Sequence, residues 1–407
     1  MVSMLAVTAT AGYICRVNVS TAGVLLMKEY SLTQVEMGRV FSAFLVGYAL
    51  CQAPAGALAD RWGARRVLAA ASWLWVGLTV VQAFIGLAPL PTSATAVLTG
   101  LVVIRFLLGI AAAPTYPASG RGVSRWTPPL LQGRANGLVI GSVGLGSALA
   151  PPLVSSVMVE WGWRAALAVS AVPALAVAIA WRFVSDPPDA RRSDEPLPAN
   201  SAMDRSPQPA PPGRRAFVLL TMSYALQGYV GYIFVSWFYL YLVQERHFGL
   251  LTGAWVSSLP WVLSIVSIPL GGLISDRLAS GALGPVWGRR IVAMVGMAGS
   301  GVLISLGAHT ESAIVAAVSL AFATALVLCV EGPFWATMMR LAGPRSGSAG
   351  GIMNTGCNLA GLLSPALTPL IASYVGWEMA LHLAAALSVV AALLWFGIGF
   401  PTAQPRS

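Results

Sequence analysis

Apolar residues occur along the chain in twelve long runs, and most polar residues lie between those runs. A helix that crosses a bilayer needs about 20 mostly apolar residues, and each run is close to that length. The pattern therefore predicts twelve membrane-spanning helices. They lie near residues 4–27, 36–58, 67–88, 95–118, 135–159, 164–184, 216–243, 250–273, 290–308, 312–339, 348–375 and 379–400.

The series of apolar runs is interrupted once, after the sixth run. Residues 185–215 read SDPPDARRSDEPLPANSAMDRSPQPAPPGRR, with eight prolines and charges of both signs. A segment of this composition cannot build a packed core. We expect a disordered cytoplasmic linker over 185–215, between a six-helix bundle over 1–184 and a second six-helix bundle over 216–407. The predicted fold class is an all-α membrane protein.

Composition agrees with an integral membrane protein. Of the 407 residues, 57% are hydrophobic and 9% are charged, and the mean hydropathy is +0.75. Soluble domains have about 25% charged residues. The net charge of +10 could indicate nucleic-acid binding, but Lys28 is the one lysine and most arginines lie at the ends of apolar runs. The bilayer is therefore the expected partner, and a nucleic acid is not.

The placement of the arginines predicts the orientation of the chain. If the N-terminus is cytoplasmic, the inner loops carry most of the basic residues. The inner ones are Arg61, Arg65, Arg66, Arg121, Arg125, Arg134, Arg191, Arg192, Arg205, Arg214, Arg215, Arg277, Arg289, Arg290, Arg340 and Arg345. The outer ones are Lys28, Arg39, Arg164 and Arg246. Because positive residues accumulate on the cytoplasmic side, we expect both termini on the cytoplasmic side of the cell inner membrane.

Neither the cysteines nor the histidines predict a metal site or a cofactor. The four cysteines stand alone inside apolar runs, without the spacings of metal ligands or redox pairs. The three histidines, which are His247, His309 and His382, lie at the edges of runs or alone. No nucleophile with a paired base and no phosphate loop is apparent, so an enzyme is not predicted.

The two halves of the chain repeat each other at a nearly constant offset. Two matches are separated by 214 residues and a third by 216 residues. The matches are Gly162-Trp163 with Gly376-Trp377, Pro151 with Pro365, and Asp60-Arg61 with Asp276-Arg277. Ordered matches of this kind are hard to obtain by chance, so two pseudo-symmetric halves are expected. Two parallel six-helix halves with a site between them resemble the plan of the major facilitator superfamily.

The loop between the second and third spans points to the same superfamily. Residues 56–66 read GALADRWGARR and closely resemble its signature loop. An aspartate there can pair with nearby arginines in one state of a gate and so bias the opening equilibrium. Residues 271–277 read GGLISDR and form a weaker copy, separated from the next arginines by residues 279–287. The expected gate residues are Asp60, Arg61, Arg65, Asp276 and Arg277.

One charged residue interrupts the first apolar run near its middle. Arg16 lies in the segment GYICRVN, which spans residues 12–18. An arginine cannot lose its proton there, and placing its charge at mid-bilayer costs roughly 2.5–3.5 kcal/mol. A chain carries such a charge only where an anionic group compensates it. Arg16 is therefore expected to bind an anionic substrate.

Further motifs resemble the anion:cation symporters of the superfamily. Residues 105–117, RFLLGIAAAPTYP, and the segment around Arg16 resemble that family's fourth and first helices. The segments 48–54, 232–241 and 332–336 resemble its second, seventh and tenth helices. The resemblance implies a carrier of sugar acids or other carboxylates. It also implies that Arg16 and Arg105 bind the substrate, because a guanidinium can hold a carboxylate through two hydrogen bonds.

Neutral side chains are expected to complete the binding site. The candidates are Tyr48, Tyr232, Ser236, Trp237, Asn354 and Asn358. The two asparagines are four residues apart, which places them on one face of the eleventh span. These side chains could contact hydroxyl groups or a ring of the substrate, or they could form hydrogen bonds between helices.

The chain departs from the proton-coupled members of that family at two positions. Cys15 precedes the first arginine, where those members usually carry aspartate, and Ala112 replaces a glutamate in the fourth helix. The deep acid that remains is Glu331, about 13 Å from Arg340 along a helix. A buried carboxylate can exchange protons near neutral pH, so Glu331 is a candidate proton carrier or a counter-ion to an arginine.

The favoured function is transport of a small organic anion by alternating access, with the proton as the candidate coupling ion. The first alternative is a facilitator or anion exchanger of the same fold without proton coupling, and the second is an efflux carrier of drugs or metabolites. A membrane sensor is a third alternative, but it would need a cytoplasmic partner domain. No cofactor is expected, and the protein is expected to act as a monomer.

Overall fold

The computed structural model describes residues 1–87, 92–128, 131–185, 214–343 and 346–399, apart from the side chains of residues 133, 136 and 346–348. These residues form thirteen α-helices, and the described ranges contain no strand. The helices are α1 (Val2–Tyr30), α2 (Gln34–Trp62), α3 (Ala64–Ala83), α4 (Ala94–Ala112), α5 (Thr115–Trp126), α6 (Gln132–Ser170), α7 (Val172–Ala180), α8 (Arg214–Gln244), α9 (Leu250–Ser280), α10 (Gly284–His309), α11 (Ala313–Cys329), α12 (Glu331–Ala342) and α13 (Ser346–Leu394).

Ten helical segments of the described residues are long and apolar enough to cross a membrane. Two of them, Gly137–Ala180 and Ala349–Gly397, have 44 and 49 residues, which is about twice the length of one span. Each breaks at a glycine with positive φ, at Gly162 (79°) and at Gly376 (84°). Counting both sides of each break gives twelve spans, so the predicted all-α fold with twelve membrane helices is confirmed.

These two breaks occur at the Gly-Trp pairs that the sequence repeats. A side chain at positive φ is strained, and glycine has none, so the chain can turn sharply at these two positions. The tryptophans that follow, Trp163 and Trp377, are both buried. The repeated pair therefore marks the corner between two consecutive spans in each half.

The fourth and tenth spans are each broken into two helices. The fourth consists of α4 and α5 and continues to Trp126, beyond the predicted end at residue 118. The tenth consists of α11 and α12, which together cover the span predicted over 312–339 and are interrupted at Val330. Pro117 is the third residue of α5, and Pro333 is the third residue of α12. Because proline has no backbone N–H, neither residue can donate the hydrogen bond that would continue the helix before the break. The same chemistry thus breaks both spans.

Contacts between helices group the chain into two halves. In the first half α1 packs against α6 and α2 against α4, and in the second α8 and α10 pack against α13. The main contacts between the halves join α1 to α8, α2 to α13 and α6 to α9. Residues 186–213 of the predicted linker lie outside the described residues. The domain boundaries at 184 and 216 therefore stay a prediction.

Candidate functional site

Arg16 lies in the interface between the two halves. Its Nη1 donates a hydrogen bond to the Tyr13 hydroxyl at 3.0 Å, and its Nη2 donates to the Tyr232 hydroxyl at 3.1 Å. Tyr13 is one turn earlier on α1, whereas Tyr232 belongs to α8 in the other half. Arg16 is 9% exposed. One buried guanidinium therefore connects the two halves through neutral groups.

Aromatic rings surround the same guanidinium. Its central carbon lies 5.0 Å from the ring centres of Tyr13 and Phe44 and 5.6 Å from those of Tyr48 and Tyr232. Each such ring contributes about 0.5–2 kcal/mol of attraction to a cation. No carboxylate of the described residues forms an ion pair with Arg16. Because hydroxyls and rings offset only part of the cost of burying a charge, the site is suited to an anion.

Arg105 lies beside Arg16 but uses its donors differently. Its Nη2 donates to the backbone carbonyl of Arg16 at 2.8 Å, and its Nη1 donates to that of Cys15 at 3.4 Å. Arg105 is 3% exposed, and its guanidinium lies 4.8 Å from the centre of the Phe44 ring. In this conformation Arg105 holds the part of α1 that carries Arg16. It is thus a positioning residue here, and direct contact with a substrate stays a prediction.

A cavity lies next to both guanidinium groups, with walls from α1, α2, α4 and α8. Its polar lining residues are Arg16, Ser20, Arg105, Tyr232 and Ser236. Ser236 follows Tyr232 by one turn of α8, so the two side chains share a helix face. Apolar side chains, among them Phe41 and Phe44, form the rest of the wall. The chemistry of this lining is suited to a small anion that carries an apolar or hydroxylated body.

Three of the other predicted contact residues lie around the same cluster. The Tyr232 hydroxyl donates to Asn358 Oδ1 at 3.5 Å. The Tyr48 hydroxyl accepts a hydrogen bond from Gln52 at 3.2 Å. Asn354 is half-buried one turn before Asn358 on α13. Their contact with a substrate stays a prediction, but the structure does bring Tyr48, Tyr232 and Asn358 together near Arg16.

Trp237 lies apart from this cavity. It is fully buried, its Nε1 donates to the Pro365 carbonyl at 3.1 Å, and its ring packs edge-on against Phe41 at 5.2 Å. It lines a second, apolar pocket that includes Trp377 and Tyr241. The structure therefore places Trp237 in a contact between α2, α8 and α13 rather than in the wall that carries the arginines.

The halves are joined on one side of the cavity, where α1 ends and α2 begins. Gln34 donates to Gln244 Oε1 at 3.1 Å and accepts a hydrogen bond from Trp377 Nε1 at 3.0 Å. Deeper in the interface, Ser42 donates to the Leu362 carbonyl at 2.9 Å. These bonds connect α2 of the first half with α8 and α13 of the second. The cavity is therefore closed on this side.

The contact between α6 and α9 also joins the halves. Ser155 donates to the Leu250 carbonyl at 2.9 Å on the closed side. A Cβ added at Gly144 would meet Ser264 Oγ of α9 at 3.3 Å, whereas one added at Gly141 would meet nothing within 4 Å. Gly141 and Gly144 are three residues apart and share a helix face. The two helices are therefore close at Gly144, whereas a side chain at Gly141, nearer the end that carries the predicted gate, would have open space.

The predicted gate residues lie at that opposite end. Asp60, near the end of α2, forms an ion pair with Arg121 of α5, a partner that the loop motif did not reveal. Both helices belong to the first half, so this pair does not itself join the halves. The other predicted members are Arg61 on α2, Arg65 on α3, and Asp276 and Arg277 on α9. Their role as a gate stays a prediction.

Glu331 begins α12 and is surrounded by neutral partners. Its Oε1 accepts a hydrogen bond from Gln227 at 2.9 Å, and its Oε2 accepts one from the Tyr224 hydroxyl at 3.0 Å. Trp335 Nε1 donates to the same hydroxyl at 3.3 Å. No arginine of the described residues forms an ion pair with Glu331. The counter-ion hypothesis is wrong for this conformation, because Glu331 faces α8 while both deep arginines lie in the first half.

The fold, the repeat and the central cavity together define the class of protein. The family model of the Major Facilitator Superfamily matches residues 4–365, and the chain belongs to this superfamily. A solved bacterial homologue of the human lysosomal transporter Spinster, inward-facing and occupied, has a TM-score of 0.78 at 17% identity, over 97% of this chain and 95% of its own. A D-xylose-proton symporter has a TM-score of 0.79 at 17% identity, over 98% of each chain.

Related proteins align with nearly the whole chain. A probable sulfoacetate transporter of Cupriavidus necator is 32% identical, over 94% of this chain and 89% of its own length. The hexuronate transporter of Bacillus subtilis is 25% identical, over 94% and 90%. A probable galactarate/D-glucarate transporter of Escherichia coli is 27% identical, over 92% and 87%. All three names refer to small organic anions.

Proposed function

We propose that this protein transports a small organic anion across the cell inner membrane by alternating access. The observation that carries the proposal is Arg16, a buried cation beside a cavity between the halves, with neutral partners from both halves. An anionic oxygen accepts a hydrogen bond from a guanidinium more strongly than a tyrosine hydroxyl does. An anion that enters the cavity would therefore replace these hydroxyls as the acceptor.

The substrate class follows from the same site and from the related proteins. Carboxylates and sulfonates both offer two or more oxygens to one guanidinium, and the relatives are named for sulfoacetate, hexuronate and galactarate or glucarate. Their names support a small carboxylate or sulfonate here. Tyr48, Tyr232, Ser236 and Asn358 are then the candidate contacts to the rest of the molecule.

The proposed cycle uses the two sides of the interface in turn. In the conformation described here the side at Gln34 is bonded across the interface, and the open space beside Gly141 supports the opposite end as the open one. If both termini are cytoplasmic, as the arginines predict, this conformation faces inward. Rocking of the halves would break the bonds at Gln34 and Ser42 and open the cavity to the outside.

We propose that transport is proton-linked through Glu331. This carboxyl group has neutral hydrogen-bond partners, and no arginine of the described residues pairs with it, so it can gain or lose a proton without breaking an ion pair. Gln227, one of its partners, lies on α8 about 7.5 Å along the helix axis from Tyr232, which contacts Arg16. Protonation of Glu331 could thus influence the anion site through α8.

Anion exchange without protons remains the second candidate function. It is favoured by Cys15 and Ala112, which occupy the positions where proton-coupled relatives of this type carry acids. In both cases the protein is a carrier rather than an enzyme, needs no cofactor and acts as a monomer in the bilayer.

Uptake into proteoliposomes tests the proposal and separates the two candidates. Substrates are first chosen by thermal stabilisation of the purified protein over monocarboxylates, sugar acids, aromatic acids and sulfonates. A proton-linked carrier will concentrate the stabilising anion when the outside is acidified. An exchanger will take it up only against an internal anion. If no small anion stabilises the protein or enters the vesicles under either condition, the proposed function is contradicted.

A further inference from the structure

Two histidines and one glutamate meet on the surface of the second half. His309 is the last residue of α10, and Glu378 and His382 lie one turn apart on α13. His309 Nδ1 is 3.1 Å from Glu378 Oε1, and His382 Nε2 is 3.7 Å from the same oxygen. The interpretation that these histidines stand alone is therefore wrong. The fold brings them together although they are far apart in sequence.

The spacing of these three side chains matches that of metal ligands. One ligand atom from each residue lies within 4.8 Å of the others. Zinc binds imidazole nitrogen and carboxylate oxygen at about 2.0–2.2 Å, so neighbouring ligand atoms of a tetrahedral site are about 3.3–3.5 Å apart. The observed separations of 3.1 Å and 3.7 Å lie on either side of that value. Small side-chain rotations would be enough to close the site around an ion.

The ligand atoms are also oriented by neighbouring groups. His382 Nδ1 lies 3.3 Å from Ser305 Oγ, a contact that leaves Nε2 as the nitrogen facing Glu378. Such a hydrogen bond to the second ring nitrogen is the usual way in which a histidine ligand is held. Arg246 donates to the carbonyls of Ala308 and Thr310 at 2.9 Å and 2.7 Å. These bonds fix the end of α10 on both sides of His309.

We propose that His309, Glu378 and His382 form a binding site for one divalent transition-metal ion of the zinc class. Two imidazoles and one carboxylate supply three ligands, and water would occupy the remaining position. This ligand set favours zinc over magnesium and calcium, which prefer oxygen ligands. The side chains of His309 and Glu378 are 83% and 53% exposed, so an ion can reach them from solvent. The bound ion would fasten α10 to the last span of the same half.

Calorimetric titration of the full-length protein in detergent, purified without a polyhistidine tag, tests this site. We expect one Zn²⁺ per chain in the wild type, and at least tenfold weaker binding in both His382→Ala and Glu378→Gln. The matched control is His247→Asn, which removes an exposed histidine that is not one of the three ligands and keeps a residue type that tolerates its positive φ. Mg²⁺ should give no saturable binding.

Thermal unfolding gives a second measurement that does not depend on transport. Zn²⁺ should raise the Tm of the wild type and of His247→Asn, because a ligand that binds the folded state stabilises it, and should leave the Tm of His382→Ala unchanged. Absence of Zn²⁺ binding in the wild type, or equal affinity in the wild type and both ligand variants, would overturn the proposal.

Discussion

The two halves of this protein share a backbone plan but place different charged residues around the cavity and in the broken spans. In the first half, Arg16 and Arg105 lie together on α1 and α4, whereas in the second half Glu331 lies on α12 among neutral partners. Tyr232 stands 216 residues after Arg16, the offset of the Asp-Arg repeat, and the two residues are hydrogen-bonded. The repeat therefore sets where a side chain lies, and the residue type decides which chemistry each half offers there.

The two Gly-Trp corners show the same principle. Trp163 Nε1 donates to Glu29 at 2.6 Å, within the first half. Trp377 Nε1, at the equivalent position, donates to Gln34 at 3.0 Å across the interface. One corner stabilises its own half, and the other holds the two halves together on the closed side.

The acid of the second half, Glu331, gives the largest predicted effect. Glu331→Gln keeps the hydrogen-bonding shape but removes the exchangeable proton, so proteoliposomes should lose accumulation driven by external acid while anion exchange continues. Glu160→Gln, which changes an exposed acid, is the control and should behave as the wild type. Accumulation that continues in Glu331→Gln would exclude this residue as the proton carrier.

Arg105 tests whether the two deep arginines have different roles. Arg105→Gln removes two donors to the α1 backbone and should displace Arg16, so we expect about a tenfold weaker affinity for the anion. Because Arg16 keeps its charge, the variant should still prefer the acid over a neutral analogue. Equilibrium binding of both compounds measures this. Complete loss of the preference would instead mean that Arg105 contacts the substrate directly.

The corner tryptophans give the smallest predicted effect. Trp377→Phe removes one hydrogen bond between the halves, and the loss of about 0.5–1.5 kcal/mol should favour opening of the closed side about 2- to 10-fold. The measurement is the rate at which an impermeant thiol reagent labels Val235→Cys in the cavity wall. Trp163→Phe is the matched variant in the first half and should leave that rate unchanged. Equal rates in the two variants would contradict the assignment of Trp377 to the interface.

Much of the fold could be predicted because membrane spans are local features. Twenty apolar residues define a span regardless of what it packs against, and the repeated glycines marked both corners. The break at Val330 was missed, although Pro333 stands 216 residues after Pro117 and could have signalled it. The extension of the fourth span to Trp126 was missed because its last turns are polar.

The candidate site was less predictable, because its contacts depend on how helices pack. Arg16 could be singled out from the sequence because its charge lies in the middle of an apolar run. The sequence could not show that Arg105 bonds to the carbonyls of Cys15 and Arg16, since every helix offers such carbonyls. Nor could it show which arginine pairs with Asp60 or that two distant histidines converge on Glu378, because both depend on neighbours far apart in sequence.

The central claim is that the Arg16 guanidinium binds the charge of the transported anion. The most direct test is a double-mutant cycle that compares the best-stabilising acid with its neutral amide in the wild type and in Arg16→Gln. The wild type should prefer the acid by about 100-fold, as two charge-assisted hydrogen bonds predict, and Arg16→Gln should reduce that preference to about threefold or less. A preference of the wild-type size in Arg16→Gln would contradict the account.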